Sequence, residues 1–387
     1  MIEQSEKRLP RVLVAMSGGV DSSVAALLLK RQGYDVTGAT LQIWPDEQDE
    51  QDRSDVGCCS LSAVDDARRV AAALDIPYYV LNFKSIFEQC VITPFIEEYL
   101  RGRTPNPCIS CNRKIKFEAM MEKALSLGFD YLATGHYARI QFSKEKNEYE
   151  LFADANNAKD QTYALYQLNQ HQLKHLLLPI ADLEKSEIRT IALEADLPVA
   201  GKKDSQEICF VKNTTYADFI RSRTGVSEIP GDFVDSDGRV LGRHHGIIHF
   251  TVGQRKGIGI ASGEPYVVLS INNANNRVVL GRECELYRTS LLASQIHMIS
   301  DRPWLLPIRV EAKIRYSAKA VPAMLLPSGE GQIRVVFDEP VRAVTPGQSI
   351  VFYQGDLVLG GGIIEEALDD NAERSTADKG FIRIQEA

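Results

Sequence analysis

The chain has 387 residues, 44% of them hydrophobic and 25% charged, with a formal net charge of −8. That composition predicts a soluble globular protein of two or three domains, and the lack of any run of about 18 apolar residues excludes a membrane partner. A surface coated in positive field is excluded too, although a local basic face leaves room for a nucleic acid.

The N-terminus, MIEQSEKRLPRVLVAM, passes from charged residues straight into a buried-strand pattern, with no apolar leader or small-residue cleavage site, so a cytoplasmic location is expected. Residues 11–16 (RVLVAM) predict a short central strand, SSVAALLLKRQG a helix closed by Gly33, and DVTGATLQI (35–43) a second strand, together a βαβ unit. A run with six acidic residues between Asp46 and Asp55 reads as a solvated loop. In SAVDDARRVAAALD, Val64, Ala67, Val70, Ala71 and Leu74 fall on one helical face. YYVLNF and YLATG (131–135) supply third and fourth strands. Strands alternating with helices predict an α/β domain built on an open, mostly parallel sheet, with ligands at the carboxyl ends of the strands.

Beyond about residue 212 the pattern changes to Gly, Asp and short β-like runs (GDFVDSDGRVLGRHHG, YVVLSINNANNRVVLG), which predict a small central domain. From about 293, VEAKIRYS, IRVVFD, VRAVTPGQSIVFYQ and LVLGGGIIEEA are spaced as the strands of a β-barrel or sandwich. The expected division is therefore 1–212, 213–292 and 293–387, the last a C-terminal β-barrel.

Between the first strand and helix stands SGGVDSS, Ser17 to Ser23. A strand-to-helix turn offers unpaired N–H groups and the positive end of a helix dipole, both suited to an anion. The lysine of a Walker loop is absent. The string resembles the pyrophosphate loop of the N-type ATP pyrophosphatases. That resemblance implies ATP held by Ala15, Met16, Ser17, Gly18, Gly19, Val20, Asp21 and Ser22. It further implies that Asp21 holds magnesium on the phosphates, and that the adenine lies over Leu41 and against Gly135.

Five further motifs, RGRTPNPCISCNRKIKF (101–117), ATGHYARI (133–140), KDQTYALYQL (159–168), KKDSQEICF (202–210) and FTVGQRKGIGI (250–260), resemble those of the bacterial tRNA-specific 2-thiouridylases, and the likeness runs from about residue 11 to the GGGII near the C-terminus. It implies ATP-dependent 2-thiolation of the wobble uridine of lysine, glutamate and glutamine tRNAs. Replacing a carbonyl oxygen by sulfur demands that the oxygen first become a leaving group, which AMP transfer to the uracil O2 achieves. A thiol of lowered pKa must then handle the sulfur, and Cys108, Cys111 and Cys209 are the candidates. Cys111 precedes Arg113, Lys114 and Lys116, an environment that favours thiolate. By resemblance, Cys111 is the nucleophile and Cys209 carries a persulfide, with a transient Cys111–Cys209 disulfide closing the cycle. The sulfur donor, a cysteine desulfurase or a relay carrier, leaves no trace in the sequence.

Where many members of the family have aspartate, this chain has Cys108, giving CxxC with Cys111 and a third thiol at Cys209. Three cysteines suffice for a 4Fe–4S cluster with one open iron able to bind sulfide, and ligand count puts this route slightly ahead of the persulfide. A structural zinc site would need a fourth ligand from Cys58, Cys59 or His136. Cys90 reads as a small core hydrophobe, Cys284 as a residue without chemical role, and Cys58 and Cys59 stay unassigned. His136 is either a positioned turn residue or a catalyst, while His244 and His245 beside Arg243 read as a solvated basic turn.

The wobble base must leave the anticodon stack to reach a buried site. Basic pairs at Arg101 and Arg103, Lys202 and Lys203, and Arg255 and Lys256, with Lys313, Arg315 and Lys319, are candidate contacts to the anticodon stem-loop. The resemblance adds Lys159, Asp160, Gln161, Arg315 and Tyr316, the last able to stack on a base. Two other readings are an ATP pyrophosphatase acting on a different tRNA base, which would not depend on Cys209, and a non-catalytic RNA-binding or redox module.

Overall fold

The structure, a computed structural model, describes residues 8–43, 61–154, 156–203, 208–211, 214–261, 264–368 and 382–383. It divides into two compact units, residues 1–91 with 108–212 and residues 92–107 with 213–387.

The first unit is built on a five-stranded sheet. Its strands are β1 (Arg11–Ala15), β2 (Asp35–Gln42), β3 (Tyr78–Asn82) and β4 (Tyr131–Ala133); a hairpin of β5 (Arg139–Ser143) and β6 (Glu148–Phe152) follows, and the two-residue β7 (Leu176–Leu177) completes the sheet. The order is β3-β2-β1-β4-β7 and every pairing in it is parallel. Strand β1 is apolar on both faces, Val12 and Val14 being buried on one and Leu13 on the other, which places it centrally. Helix α1 (Val20–Arg31) starts two residues earlier than SSVAALLLKRQG suggests, and Gly33 follows its end with φ +86°. Helix α2 (Leu61–Ala73) buries the face predicted for it, Val64, Ala67, Val70, Ala71 and Leu74. The acidic run and Cys58 and Cys59 lie outside the described residues.

Strand order reverses on either side of β1, because β2 lies to one side and β4 to the other. The crevice at the carboxyl ends of β1 and β4 is where such a sheet binds its ligand. The turn after β1 carries Ser17–Gly19 and the turn after β4 carries Gly135.

In the second unit, helix Tyr216–Thr224, capped by the Thr215 hydroxyl and ended by Gly225 in the left-handed conformation, precedes a four-stranded sheet. That sheet comprises β8 (Gly231–Val234), β9 (Val240–His244), β10 (Val267–Asn272) and β11 (Arg277–Gly281), in the order β10-β11-β8-β9. His244 is not on a solvated turn: it is 3% exposed, edge-on to Phe233 and Phe250 at 5.2 and 5.6 Å, while Arg243 and His245 on either side face solvent.

The remaining strands are β12 (Tyr287–Met298), β13 (Leu305–Leu306), β14 (Ile308–Lys313), β15 (Val321–Pro327), β16 (Ile333–Arg342), β17 (Ser349–Gln354) and β18 (Leu357–Leu368). Six of them run β12-β16-β15-β14-β17-β18, and β12 pairs again with β18, which closes an antiparallel barrel. Closure, not a second sheet, thus removes the free edges. Leu291, Ala312, Ala323, Leu325, Val335, Ile350 and Phe352 belong to its buried core, and its first strand begins at Tyr287, ahead of 293.

Candidate active site

The turn between β1 and α1 is held from both ends. The Met16 N–H donates to the Ala39 carbonyl at 2.8 Å, and the Thr40 hydroxyl donates to the Met16 carbonyl at 2.6 Å. The Ser17 N–H donates to Ser22 Oγ at 3.2 Å, while the Ser22 and Ser23 hydroxyls donate to the Gly19 carbonyl at 3.2 and 2.8 Å. Gly18 has φ +67°, and a Cβ there would lie 2.3 Å from the Ala63 carbonyl oxygen at the start of α2. A side chain is thus excluded by conformation and by space. Gly135 packs against the same turn, where a Cβ would meet the Ser22 backbone nitrogen at 2.6 Å. The structure therefore brings Gly135 to the turn of residues 17–22 across 113 or more residues of sequence, as the sheet order requires. Leu41 lies buried on β2, beside β1.

Asp21 stands in the first turn of α1. Its carboxylate accepts from Lys185 Nζ at 2.7 and 2.9 Å and from the Tyr137 hydroxyl at 2.6 Å. Lys185 opens the helix Lys185–Glu194, whose N-terminus is fixed by a Glu184–Glu187 capping box. A second ammonium reaches the loop from Lys202, whose Nζ donates to the Gly18 carbonyl at 3.2 Å and to Asp66 Oδ2 at 2.6 Å. Sequence reasoning missed Lys185 and Tyr137 as partners of Asp21 and read Lys202 as a candidate tRNA contact. Tyr137 stood within a quoted motif, whereas the two lysines carry no local signal.

His136 follows Gly135 and is buried. Its Nδ1 lies 2.7 Å from Thr134 Oγ1 and its Nε2 3.4 Å from Lys116 Nζ, which in turn donates to Asn112 Oδ1 at 2.9 Å. Burial first, and then the neighbouring Lys116 charge, hold the imidazole well below its usual range, so it is neutral at physiological pH.

Cys111 opens the helical stretch Cys111–Met120 and is half-buried, as is Cys209; Cys108 is exposed. No disulfide joins them. Two of the cations expected to favour a thiolate at Cys111 have an acidic partner, since Arg113 and Lys114 both pair with Glu118 at 3.3 and 2.9 Å. Among the described residues no group of three or more His, Cys, Asp or Glu side chains is placed to hold a metal ion. Cys108, Cys111 and Cys209, the ligands suggested for a 4Fe–4S cluster, are not in such a single-ion group. Cys90 is half-buried and Cys284 exposed.

Residues 10–213 match a family described as the tRNA methyl transferase HUP domain, residues 217–282 the tRNA methyl transferase PRC-barrel domain, and residues 288–364 the aminomethyltransferase beta-barrel domain. A protein of Acetivibrio thermocellus named tRNA-specific 2-thiouridylase MnmA is 58% identical over 355 residues, which cover 92% of this chain and 99% of that one. A protein of the same name from Clostridioides difficile is 52% identical over 358 residues, with coverage of 92% and 99%. The chain belongs to the tRNA-specific 2-thiouridylase family. The family is one of enzymes, tRNA-uridine 2-sulfurtransferases.

Within that family frame, the residues expected to touch tRNA fall into two groups. Asp160 accepts from the Thr162 hydroxyl at 2.6 Å and from the Asp154 N–H at 3.0 Å, and Gln161 exchanges two hydrogen bonds with the Tyr137 backbone at 2.9 and 3.0 Å. Lys159 is held in the same turn, its N–H donating to Asn157 Oδ1 at 2.9 Å. In the other unit Tyr316 is 46% exposed, with Lys313 Nζ 5.5 Å from its ring centre, and Arg315 donates to the Arg342 carbonyl at 2.6 Å. Arg103 is committed elsewhere: Glu98 and Glu365 each take one of its N–H groups at 2.6 Å.

Proposed function

We propose that this protein uses ATP and magnesium to convert the wobble uridine of lysine, glutamate and glutamine tRNAs to 2-thiouridine. The observation that carries the reading is the glycine-lined turn at Ser17–Ser22, packed against Gly135, in the same unit as the Cys111 and Cys209 thiols. A methyl transfer, which the family descriptions mention, has no use for an ATP loop that releases pyrophosphate; replacement of oxygen by sulfur needs both that activation and a thiol.

In the first step the uracil O2 attacks the α-phosphorus of ATP, the N3 proton is lost and pyrophosphate leaves. The turn's N–H groups, with the positive end of α1, stabilise the charge on the departing phosphates. The Asp21 carboxylate suits magnesium, which would neutralise phosphate oxygens there. Lys185 and Tyr137 keep that carboxylate oriented beforehand.

In the second step the Cys111 thiolate attacks Sγ of a Cys209 persulfide. The S–S bond breaks, hydrosulfide leaves and attacks C2, AMP departs, and the proton on sulfur passes to N3. A Cys111–Cys209 disulfide remains, and two electrons from a thiol reductant restore both thiols. A cysteine desulfurase or a relay carrier would load Cys209. No step in this sequence needs iron. A tRNA substrate fits a cytoplasmic reaction, and no helix among the described residues is long and apolar enough to cross a membrane.

The test is to incubate unmodified lysine tRNA with enzyme, MgATP and a persulfide donor, and to follow pyrophosphate release and 2-thiouridine. Cys209→Ala should still release pyrophosphate in a tRNA-dependent manner yet form no thiouridine. Iron and sulfide near four per chain after anaerobic purification, lost with activity in Cys108→Ala, would overturn the persulfide route.

A further inference from the structure

Lys202 reaches the nucleotide turn from 184 residues further along the chain. Its ammonium is 3.2 Å from the Gly18 carbonyl and 2.6 Å from Asp66 Oδ2, and the two side chains are only 29% and 14% exposed. Gly18 is the residue of the turn pressed against the Ala63 backbone of α2, and Asp66 lies one turn further along that helix. An ammonium held this close to the turn is within reach of a phosphate seated on it, by a small swing of a flexible four-carbon stem. A carbonyl and one carboxylate, the latter also paired with Arg69, are weaker claims on that charge than a triphosphate.

We propose that Lys202 is a ligand of the phosphates of bound ATP, exchanging Asp66 for a phosphate oxygen when the nucleotide arrives. This rests on the reading above that the loop binds ATP.

The experiment uses the full chain with magnesium and an ATP analogue carrying an α,β-methylene bridge, which binds without transferring AMP. Calorimetry gives its Kd. Lys202→Met should weaken analogue binding by about ten- to a hundred-fold, the worth of a charge-assisted hydrogen bond, and Lys202→Arg should recover most of it. Asp66→Asn, which removes the competing counterion, should tighten binding, an outcome that damage to the fold would not produce. Wild-type affinity in Lys202→Met or weaker binding in Asp66→Asn would each overturn the proposal. Failure of the wild type itself to bind the analogue would instead overturn the ATP reading on which it rests.

Discussion

At the scale of single residues, Gly18 and His136 make opposite demands on the polypeptide. Gly18 needs the absence of a side chain: its φ of +67° strains any L-residue by about 1–2 kcal/mol, and the Ala63 carbonyl 2.3 Å from its Cβ position adds a backbone clash. Gly18→Ala should therefore displace α2 from the turn and abolish nucleotide binding, checked by calorimetry, with a lower Tm. His136 needs neutrality. Its folded pKa lies below the ordinary 6.5, so between the two values the unfolded chain binds more protons and stability rises with pH. The imidazole's contribution is complete above pH 6.5 and is lost as pH falls below it. Urea midpoints measured from pH 7.5 to 5 should drop more steeply for wild type than for His136→Gln, by at most about 1.4 kcal/mol per pH unit; parallel curves would show that His136 is not held neutral by burial. The glycine was legible because its spacing follows a strand and precedes a helix. Lys185 and Lys202 were not, since their contacts at Asp21 and Gly18 span 164 and 184 residues and a lysine on a helix start looks like any solvated lysine.

Among the elements, what could be read depended on length. Helix α2 declared its buried face through periodicity, whereas β7, with two residues, and the helix Lys185–Glu194, whose buried positions include only Ile188 and Ala192, offered no repeat to detect. The segment 92–107 belongs to the second unit although the chain before and after it lies in the first. Arg103 and its neighbour Thr104 explain the assignment. The guanidinium bridges Glu98 on the preceding helix and Glu365 on β18, the Thr104 N–H donates to the Pro346 carbonyl at 2.9 Å, and Gln348 donates to the Thr104 carbonyl at 2.7 Å. These bonds keep the guanidinium charged, and the pair with Arg103 helps hold Glu365 below the usual carboxylate range. Arg103→Met leaves Glu365 without its cation and Glu98 with only the more exposed Arg101, 3.2 Å away, and should destabilise this unit by about 1–3 kcal/mol in urea unfolding, a loss that a mere solvated RNA contact would not give.

For the whole molecule, the sum of charges misleads where their distribution does not. A net −8 opposes a polyanion, so tRNA binding must draw on a few cations that are exposed and not already neutralised. Arg103 and Lys202 fail that condition, which the sequence alone had no means to show, because pairing is a property of the fold. Arg255 and Lys256 meet it in part: both are exposed, on a loop fixed by the Gln254 side chain, which accepts from the Thr251 N–H and donates to the Lys256 carbonyl, each at 3.0 Å. Gly253, Gly257 and Gly259, with φ of +87°, +76° and +77°, let the chain turn sharply enough to present the two cations side by side. Each phosphate neutralised releases counterions, so binding should weaken linearly in log–log terms as salt rises. Replacing Arg255 and Lys256 together by glutamine should lower that slope by about 1.4–1.8, two contacts at 0.7–0.9 each. ATP-analogue affinity should not change, because the loop belongs to the unit without the nucleotide turn. Arg103→Met, measured beside it, should leave the slope where it is even as it lowers stability. An unchanged slope in the double variant would mean that tRNA is held by another face, and Tyr316 with Lys313 would be the next pair to replace.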